Sequence, residues 1–415
     1  MRLVRVLAAT IHDVPLIATI AVSLAFAFVG GLVAVRLRLP PLVGYLLAGI
    51  VVGPFTPGFV ADAHLAPQLA EIGVILLMFG VGTHFSLRDL FAVRRVALPG
   101  AFTQIIVATA LGSGVAILWG WSLGAGIIFG LSLSVASTVV LLRALQDRDM
   151  INSNDGRIAV GWLVVEDLLM VLALVVLPAL AGVMGGSVTN NSGNLWLAVG
   201  ITLGKVVLFI GLMLVAGVRF FPWLLSHVEK TGSRELFTLA VVALALGVAF
   251  GSAKLFGVSF ALGAFFAGVV VNESDLSHRA ARELQPLQDA FTVLFFVAVG
   301  MLFDPSILIR QPLRVLAVLA IVLIGKSLAA FGIVRVLGGS TRTALIVSAA
   351  LAQIGEFSFI LSGLGVKLDL VPAEELNLIV AGALLSITFN PAVFSAALAF
   401  ARGRGEQSQT SGVWL

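Results

Sequence analysis

Apolar stretches of roughly 20 residues, about the length that crosses a ~30 Å hydrocarbon core, recur along this chain with only short polar breaks between them. They read as spans at residues 15–35, 39–53, 66–84, 96–119, 122–142, 157–184, 195–218, 235–251, 257–272, 286–303, 313–334, 343–366 and 374–400. Of the 415 residues, 60% are hydrophobic and 11% charged, whereas soluble domains carry about a quarter charged. Lipid leaves no exposed backbone polar group satisfied, so the spans are helices, and none shows the alternation of a barrel strand. The fold class is therefore an all-α polytopic membrane protein of about thirteen transmembrane helices.

Charge sets the orientation. Most of the 25 lysines and arginines fall in alternate breaks, among them Arg94, Arg95, Arg143, Arg148, Arg335 and Arg342. The positive-inside rule then puts the C-terminus in the cytoplasm and the N-terminus outside. The net charge of +4 arises from these loops and requires no nucleic-acid partner. The chain has no cysteine, which removes disulfides and thiol chemistry. The first apolar run ends at Arg36 without a cleavage pattern. The uncharged stretch from Gly185 to Asn194 reads as a linker before the seventh span.

The chain repeats itself at a nearly constant shift. Ala48-Gly49-Ile50-Val51-Val52 in the second span matches Ala267-Gly268-Val269-Val270-Val271 in the ninth. Glu71, Val81-Gly82 and Phe85 match Asp289, Val299-Gly300 and Phe303, and the same shift sets Ser134 to Thr138 against Gln353 to Phe357. Matching spans are seven apart, and an odd separation turns the second copy upside down in the bilayer. The organisation expected is a first repeat over 1–184, a linking helix over 195–218, a second repeat over 235–400 and a short tail over 401–415. Transporters use inverted repeats for alternating access, with the site near the midplane where broken helices cross.

Glu166 and Asp167 are adjacent acids within an apolar span. A charge at a helix centre costs about 2.5 to 3.5 kcal/mol on insertion scales, so such residues face a bundle interior or wet cavity and mark transport. The ionised form of a buried carboxylate is disfavoured, and a cation in contact restores it, so a proton and a metal ion compete for one site. Neighbours on a helix diverge by about 100 degrees, so one acid is the ligand and the other its partner or modulator. Lys326, flanked by apolar residues on both sides, is the charge partner expected for Glu166 or Asp167. Lys205 is read as buried in the seventh span, with a structural contact at least as plausible as a role in transport. Ser134, Ser137, Thr138, Gln353 and Glu356 are polar positions where the fifth and twelfth spans open and cross, and Ser132 is read as packing glue. Glu71 sits at a helix terminus, and Asn390-Pro391 marks a kink in the last helix. No glycine-rich phosphate loop or histidine cluster is present, so the chain points to no enzyme, no cofactor and no resident metal.

Leu77 to Gly82, Ala136-Ser137-Thr138, the pair closed by Asp167, Leu294 to Met301 and Leu351 to Phe357 together resemble the Kef-type branch of the monovalent cation:proton antiporters. The resemblance covers most of the membrane domain. It implies two inverted six-helix repeats, a mobile core with crossed broken helices, a fixed dimerisation domain and thus a homodimer, and Asp167 as the cation and proton ligand. It also implies a bacterial inner membrane. Two departures stand out: Glu166 occupies a position where glutathione-gated members usually carry glutamine, and relatives continue beyond the last helix. An acidic pair with a lysine in the second repeat is similar to the electrogenic sodium/proton antiporters, so Lys326 leaves the stoichiometry open. Relatives carry a cytoplasmic nucleotide-binding domain after the last helix, beyond where this chain stops at Leu415. The function expected is exchange of potassium or sodium for protons by an elevator-type mechanism. The alternative is a gated potassium efflux channel, although no tandem Thr-Val-Gly-type filter appears.

Overall fold

The computed structural model describes residues 15–57, 65–83, 87–151, 153–182, 184–186 and 195–410. Most of the linker before the seventh span and the last residues of the tail lie outside these. In chain order the helices are α1 Pro15–Arg36, α2 Pro41–Val52, α3 Leu65–Thr83, α4 Leu87–Leu118, α5 Leu123–Ser134, α6 Thr138–Gln146, α7 Asn154–Leu180, α8 Leu195–Leu212 and α9 Val218–Glu229. They continue as α10 Arg234–Gly251, α11 Phe260–Asn272, α12 Ser277–Met301, α13 Ile307–Arg310, α14 Pro312–Ala320, α15 Lys326–Val336, α16 Thr341–Ala350, α17 Glu356–Lys367 and α18 Ala373–Thr410. Single π-helical turns join α8 to α9 and α14 to α15, and another follows α10.

Among the described residues, ten stretches are long and apolar enough to cross a membrane, and α2 and α11 are shorter apolar helices. The remaining span, α16 with α17, is interrupted at residues 351–355. The thirteen spans read from the sequence are all present among the described residues. Several helices overrun the spans read for them: α4 starts at Leu87 rather than 96, the seventh span continues through α9 to Glu229 rather than 218, and α18 runs to Thr410 rather than 400. Helix α12 starts at Ser277 rather than 286, because its first two turns are polar and a hydropathy reading passes over them. The ninth span starts later than read: Gly257, at φ 68°, ends the preceding π turn, and the Ser259 hydroxyl accepts the Leu262 amide to open α11. Helix α18 runs unbroken through Pro391, and the Asn390 amide donates to the Ala349 carbonyl at 2.9 Å.

Contacts group the chain into two compact units. One holds α1–α3, the last turns of α7 from Leu174, and α8–α12; the other holds α4–α6, the body of α7 and α13–α18.

Within the first unit, glycines decide how close the helices come. A Cβ at Gly49 would lie 2.8 Å from the Gly300 Cα and would strike the Val297 carbonyl; one at Gly300 would lie 3.0 Å from the Gly49 Cα. A Cβ at Gly268 would lie 2.9 Å from the Gly82 Cα, and one at Gly82 the same distance from Gly268. Gly49 and Gly268 are repeat equivalents, as are Gly82 and Gly300. Exchanging the two repeats therefore carries one crossing onto the other, as a pseudo-two-fold axis requires. In lipid, where apolar burial does not drive helices together, such small-residue contacts are the means of close packing.

Gly49→Leu and Gly268→Leu are each expected to lower stability by about 1–3 kcal/mol or more through overpacking. Gly247→Ala, at a helical glycine with nothing within 4 Å, is expected to leave stability unchanged or raise it by up to ~1 kcal/mol. Thermal midpoints of the purified proteins in one detergent provide the comparison.

Candidate functional site

Every candidate site residue belongs to the second unit. Its centre is where the fifth and twelfth spans lose their helical hydrogen bonds, at residues 135–137 and 351–355. Val135 is extended at φ −95°, ψ 137°, and Gly355 at φ −106°, ψ 178°. Both segments pass close enough that a Cβ on Gly355 would strike the Ala136 carbonyl and lie 2.8 Å from the Ser137 nitrogen. Glycine is needed there for the approach.

Opening a helix frees amides and carbonyls that no water or lipid satisfies, each at a cost of several kcal/mol. Each break uses the other strand and its neighbours to supply partners. The Gly355 amide donates to the Val135 carbonyl at 3.1 Å. The Gln353 side chain bridges the crossing, accepting the Ser137 amide at 2.8 Å and donating to the Ser137 carbonyl at 3.2 Å. The Ile354 amide donates to the Ser386 hydroxyl of α18 at 3.3 Å. The Ser137 hydroxyl caps α6 by accepting the Val140 amide.

Two charged side chains complete this pattern. Glu166, fully buried, accepts the Ala136 amide at 2.9 Å on one carboxylate oxygen and the Gln104 side-chain amide on the other. Gln104 also donates to the Ser134 carbonyl at 3.3 Å. Lys326, also fully buried, donates to the Gln353 carbonyl at 3.2 Å. An acid thus meets the amide end of α6 and an ammonium meets the carbonyl end of α16, the arrangement that helix dipoles favour. The expected direct pairing of Lys326 is not seen: among the described residues no ion pair within 4.0 Å includes it. Glu166 and Asp167 stay within its electrostatic range. The ammonium instead supplies a donor to a carbonyl that the break exposes.

Asp167 stands apart. Its Oδ2 accepts the Thr138 hydroxyl at 3.1 Å, while Oδ1 is buried with no partner among the described residues. Glu356, 3% exposed, lies within electrostatic range of Ser137 and Thr138, and its Oε2 likewise has no partner among the described residues. The two carboxyls are within electrostatic range of each other. Three buried acids thus face one buried ammonium, and the two open oxygens belong to Asp167 and Glu356.

The structure therefore gathers Glu166, Asp167, Ser137, Thr138, Gln353, Glu356 and Lys326 at the crossing. Ser134 supplies its carbonyl to Gln104, while its hydroxyl bonds back to Leu131. Ser132 bonds across to Ser362, the gluing contact expected of it. Lys205 is exposed on the protein surface rather than buried, and Glu71 belongs to the first unit. Sequence reasoning passed over Gln104 and Ser386. The same signal that exposed Glu166 was available for Gln104, an amide in an otherwise apolar stretch of α4, where a polar group without a partner is costly.

Residues 24–399 match the family described as sodium/hydrogen exchanger, transmembrane. YbaL of Escherichia coli (strain K12), whose name refers to cation/proton antiport, is 63% identical over 92% of this chain and 69% of its own. K(+) efflux antiporter 4 of Arabidopsis thaliana is 34% identical over 92% of this chain and 64% of its own. The chain thus spans about two thirds of the length of these relatives. The solved sodium proton antiporter MjNhaP1 from Methanocaldococcus jannaschii shares the fold, with a TM-score of 0.62 at 16% identity over 93% of this chain and 98% of that one. On these grounds the chain belongs to the sodium/hydrogen exchanger family of multi-pass membrane cation/proton antiporters, within its Kef-type branch.

Proposed function

We propose that this chain exchanges a monovalent cation, potassium or sodium, for protons at Asp167, by elevator-type alternating access in a homodimer of a bacterial inner membrane, with the C-terminus in the cytoplasm. The observation that carries the reading is the division of labour between the two adjacent acids. Glu166 has both oxygens engaged in holding the crossing, whereas Asp167 keeps a buried oxygen open, as does Glu356 within its electrostatic range.

A dehydrated alkali cation needs a small set of oxygens. Asp167 and Glu356 offer carboxylate oxygens, Thr138 a hydroxyl, and the broken segments nearby carbonyls. With three buried acids against one ammonium, excess negative charge must be neutralised, and a proton and a cation do so interchangeably. Exchange follows if access changes only when one of them is bound. The elevator reading draws support from the grouping of the chain: all the candidate ion-site residues lie in one compact unit, and each unit takes helices from both repeats. Potassium is named for the plant relatives and sodium for MjNhaP1, so either cation suits the proposal.

The test is transport in everted vesicles carrying the full chain. Addition of cation should collapse a preset pH gradient, and Asp167→Asn should reduce this to background while leaving the thermal midpoint unchanged or higher. Glu166→Gln should instead destabilise the fold by about 1–3 kcal/mol, because the Ala136 amide then loses a charged acceptor. Cation flux that persists without proton movement in Asp167→Asn would point to the channel. Lys326→Ala should lower the melting temperature, by about 1–3 kcal/mol of stability for the Gln353 carbonyl left bare, without changing the order of preference among cations. Equal midpoints for Lys326→Ala and wild type would count against the assigned role of the ammonium.

A further inference from the structure

A fourth buried acid in the same unit plays no part in the crossing. Glu375, in the first turn of α18, is fully buried, while its neighbour Glu374 is partly exposed and pairs with Arg314 at 2.5 Å. The Ser362 hydroxyl of α17 lies 2.8 Å from Glu375 Oε1 and 3.3 Å from the Ser132 hydroxyl of α5. Both serines are fully buried. Glu375 Oε2 has no partner among the described residues, and neither does the buried Ser358 hydroxyl, one turn back on the Ser362 face of α17.

An acid at a helix start has an ordinary structural use in meeting the free amides of the first turn. Glu375 does not serve it: Oε1 is met by Ser362 and Oε2 by no amide. Among the described residues it forms no ion pair within 4.0 Å. A buried carboxyl with one open oxygen and no cation beside it is a place for a proton.

The row of hydroxyls adds a second argument. A hydroxyl carries one hydrogen, so Ser362 cannot donate to Glu375 and to Ser132 at once. With Glu375 ionised, Ser132 donates to Ser362, which donates to the carboxylate. With Glu375 protonated, the acid donates to Ser362, which donates to Ser132. One proton therefore sets the direction of the whole row. Ser362 stands less than two turns from Glu356 along α17, a rise of about 9 Å. Ser132 lies just before the break that opens at Val135.

We propose that Glu375 is a second proton-binding group of the exchanger, on the proton's route between the α17–α18 turn and the crossing, with Ser362 and Ser132 as its relay. This rests on the exchange reading above. In the inward step the Glu375 O–H bond breaks as Ser362 gains that proton. Ser362 passes its own hydrogen to Ser132, and Ser132 passes its hydrogen to a water on the crossing side. Both serines end neutral with their bonds reversed, and one proton has moved.

Wild type, Glu375→Gln, Glu375→Asp and Ser362→Ala of the full chain, reconstituted in vesicles, provide the test. The expected result is a roughly tenfold or larger loss of antiport in Glu375→Gln and Ser362→Ala when the pH step is applied from the α17–α18 side, with the cation KM unchanged and partial rescue in Glu375→Asp. In infrared spectra of purified protein taken across pH, a carboxylic-acid C=O band should come and go in wild type and be missing from Glu375→Gln. A wild-type pH profile in Glu375→Gln, or a raised cation KM in place of a shifted profile, would overturn the proposal. If Glu375→Gln does not fold, Ser362→Ala decides, and wild-type rates there would contradict the relay. Absence of antiport in wild type would instead tell against the exchange reading, while the infrared band still judges Glu375 by itself.

Discussion

A helix opened within a lipid-spanning segment leaves backbone groups that nothing outside the protein can satisfy, and the second unit is arranged around that constraint. Gln353, Glu166, Gln104, Lys326 and Ser386 each meet an amide or carbonyl freed by a break in the fifth or twelfth span. Every one of these polar groups would be costly alone in an apolar interior. They become tolerable because each is the partner another group lacks. The crossing is thus a connected polar network in which the loss of one member leaves several others bare.

The same network explains why two adjacent acids divide their tasks. Helix periodicity points them in different directions, and Glu166 is turned toward the amide end of α6 while Asp167 faces Thr138. A carboxylate whose oxygens are both engaged has little left to offer a cation, whereas one with an open oxygen does. In the proposed exchange, the fixed charges Glu166 and Lys326 hold the helix ends and the variable charge sits on Asp167 with Glu356. The first unit uses a different device. There the repeat symmetry appears as two equivalent glycine crossings, Gly49 with Gly300 and Gly268 with Gly82, which give close backbone packing without polar groups.

Much of the fold was legible in the sequence because lipid simplifies the problem. Long apolar runs have few alternatives to helices, and the self-similarity around Gly49 and Gly268 or Gly82 and Gly300 survives in residues whose size the packing dictates. The breaks were legible as polar islands, since Ser137, Thr138, Gln353 and Glu356 have no place in an intact lipid-depth helix. What pairs with what was harder to read. Lys326 looked like a counter-ion to Glu166 or Asp167, but a side chain and a backbone carbonyl compete for the same ammonium, and sequence does not reveal which carbonyls a break exposes. Gln104 was hidden in a long apolar helix, and nothing in the sequence separates the buried Glu375 from its partly exposed neighbour Glu374 in the first turn of α18. Lys205 misled in the opposite sense, because an apolar neighbourhood in a membrane helix means lipid as often as protein.

The central claim is that one buried carboxyl is shared in turn by a proton and a cation, and equilibrium binding tests it without any vesicle. Cation affinity of the purified full chain should be titrated at a series of pH values. Competition at a single acid predicts that, in the acidic range where the site is protonated, the apparent dissociation constant rises about tenfold for each pH unit lowered, and that Asp167→Asn abolishes the dependence. An affinity that stays constant with pH, or a wild-type dependence retained in Asp167→Asn, would contradict the account.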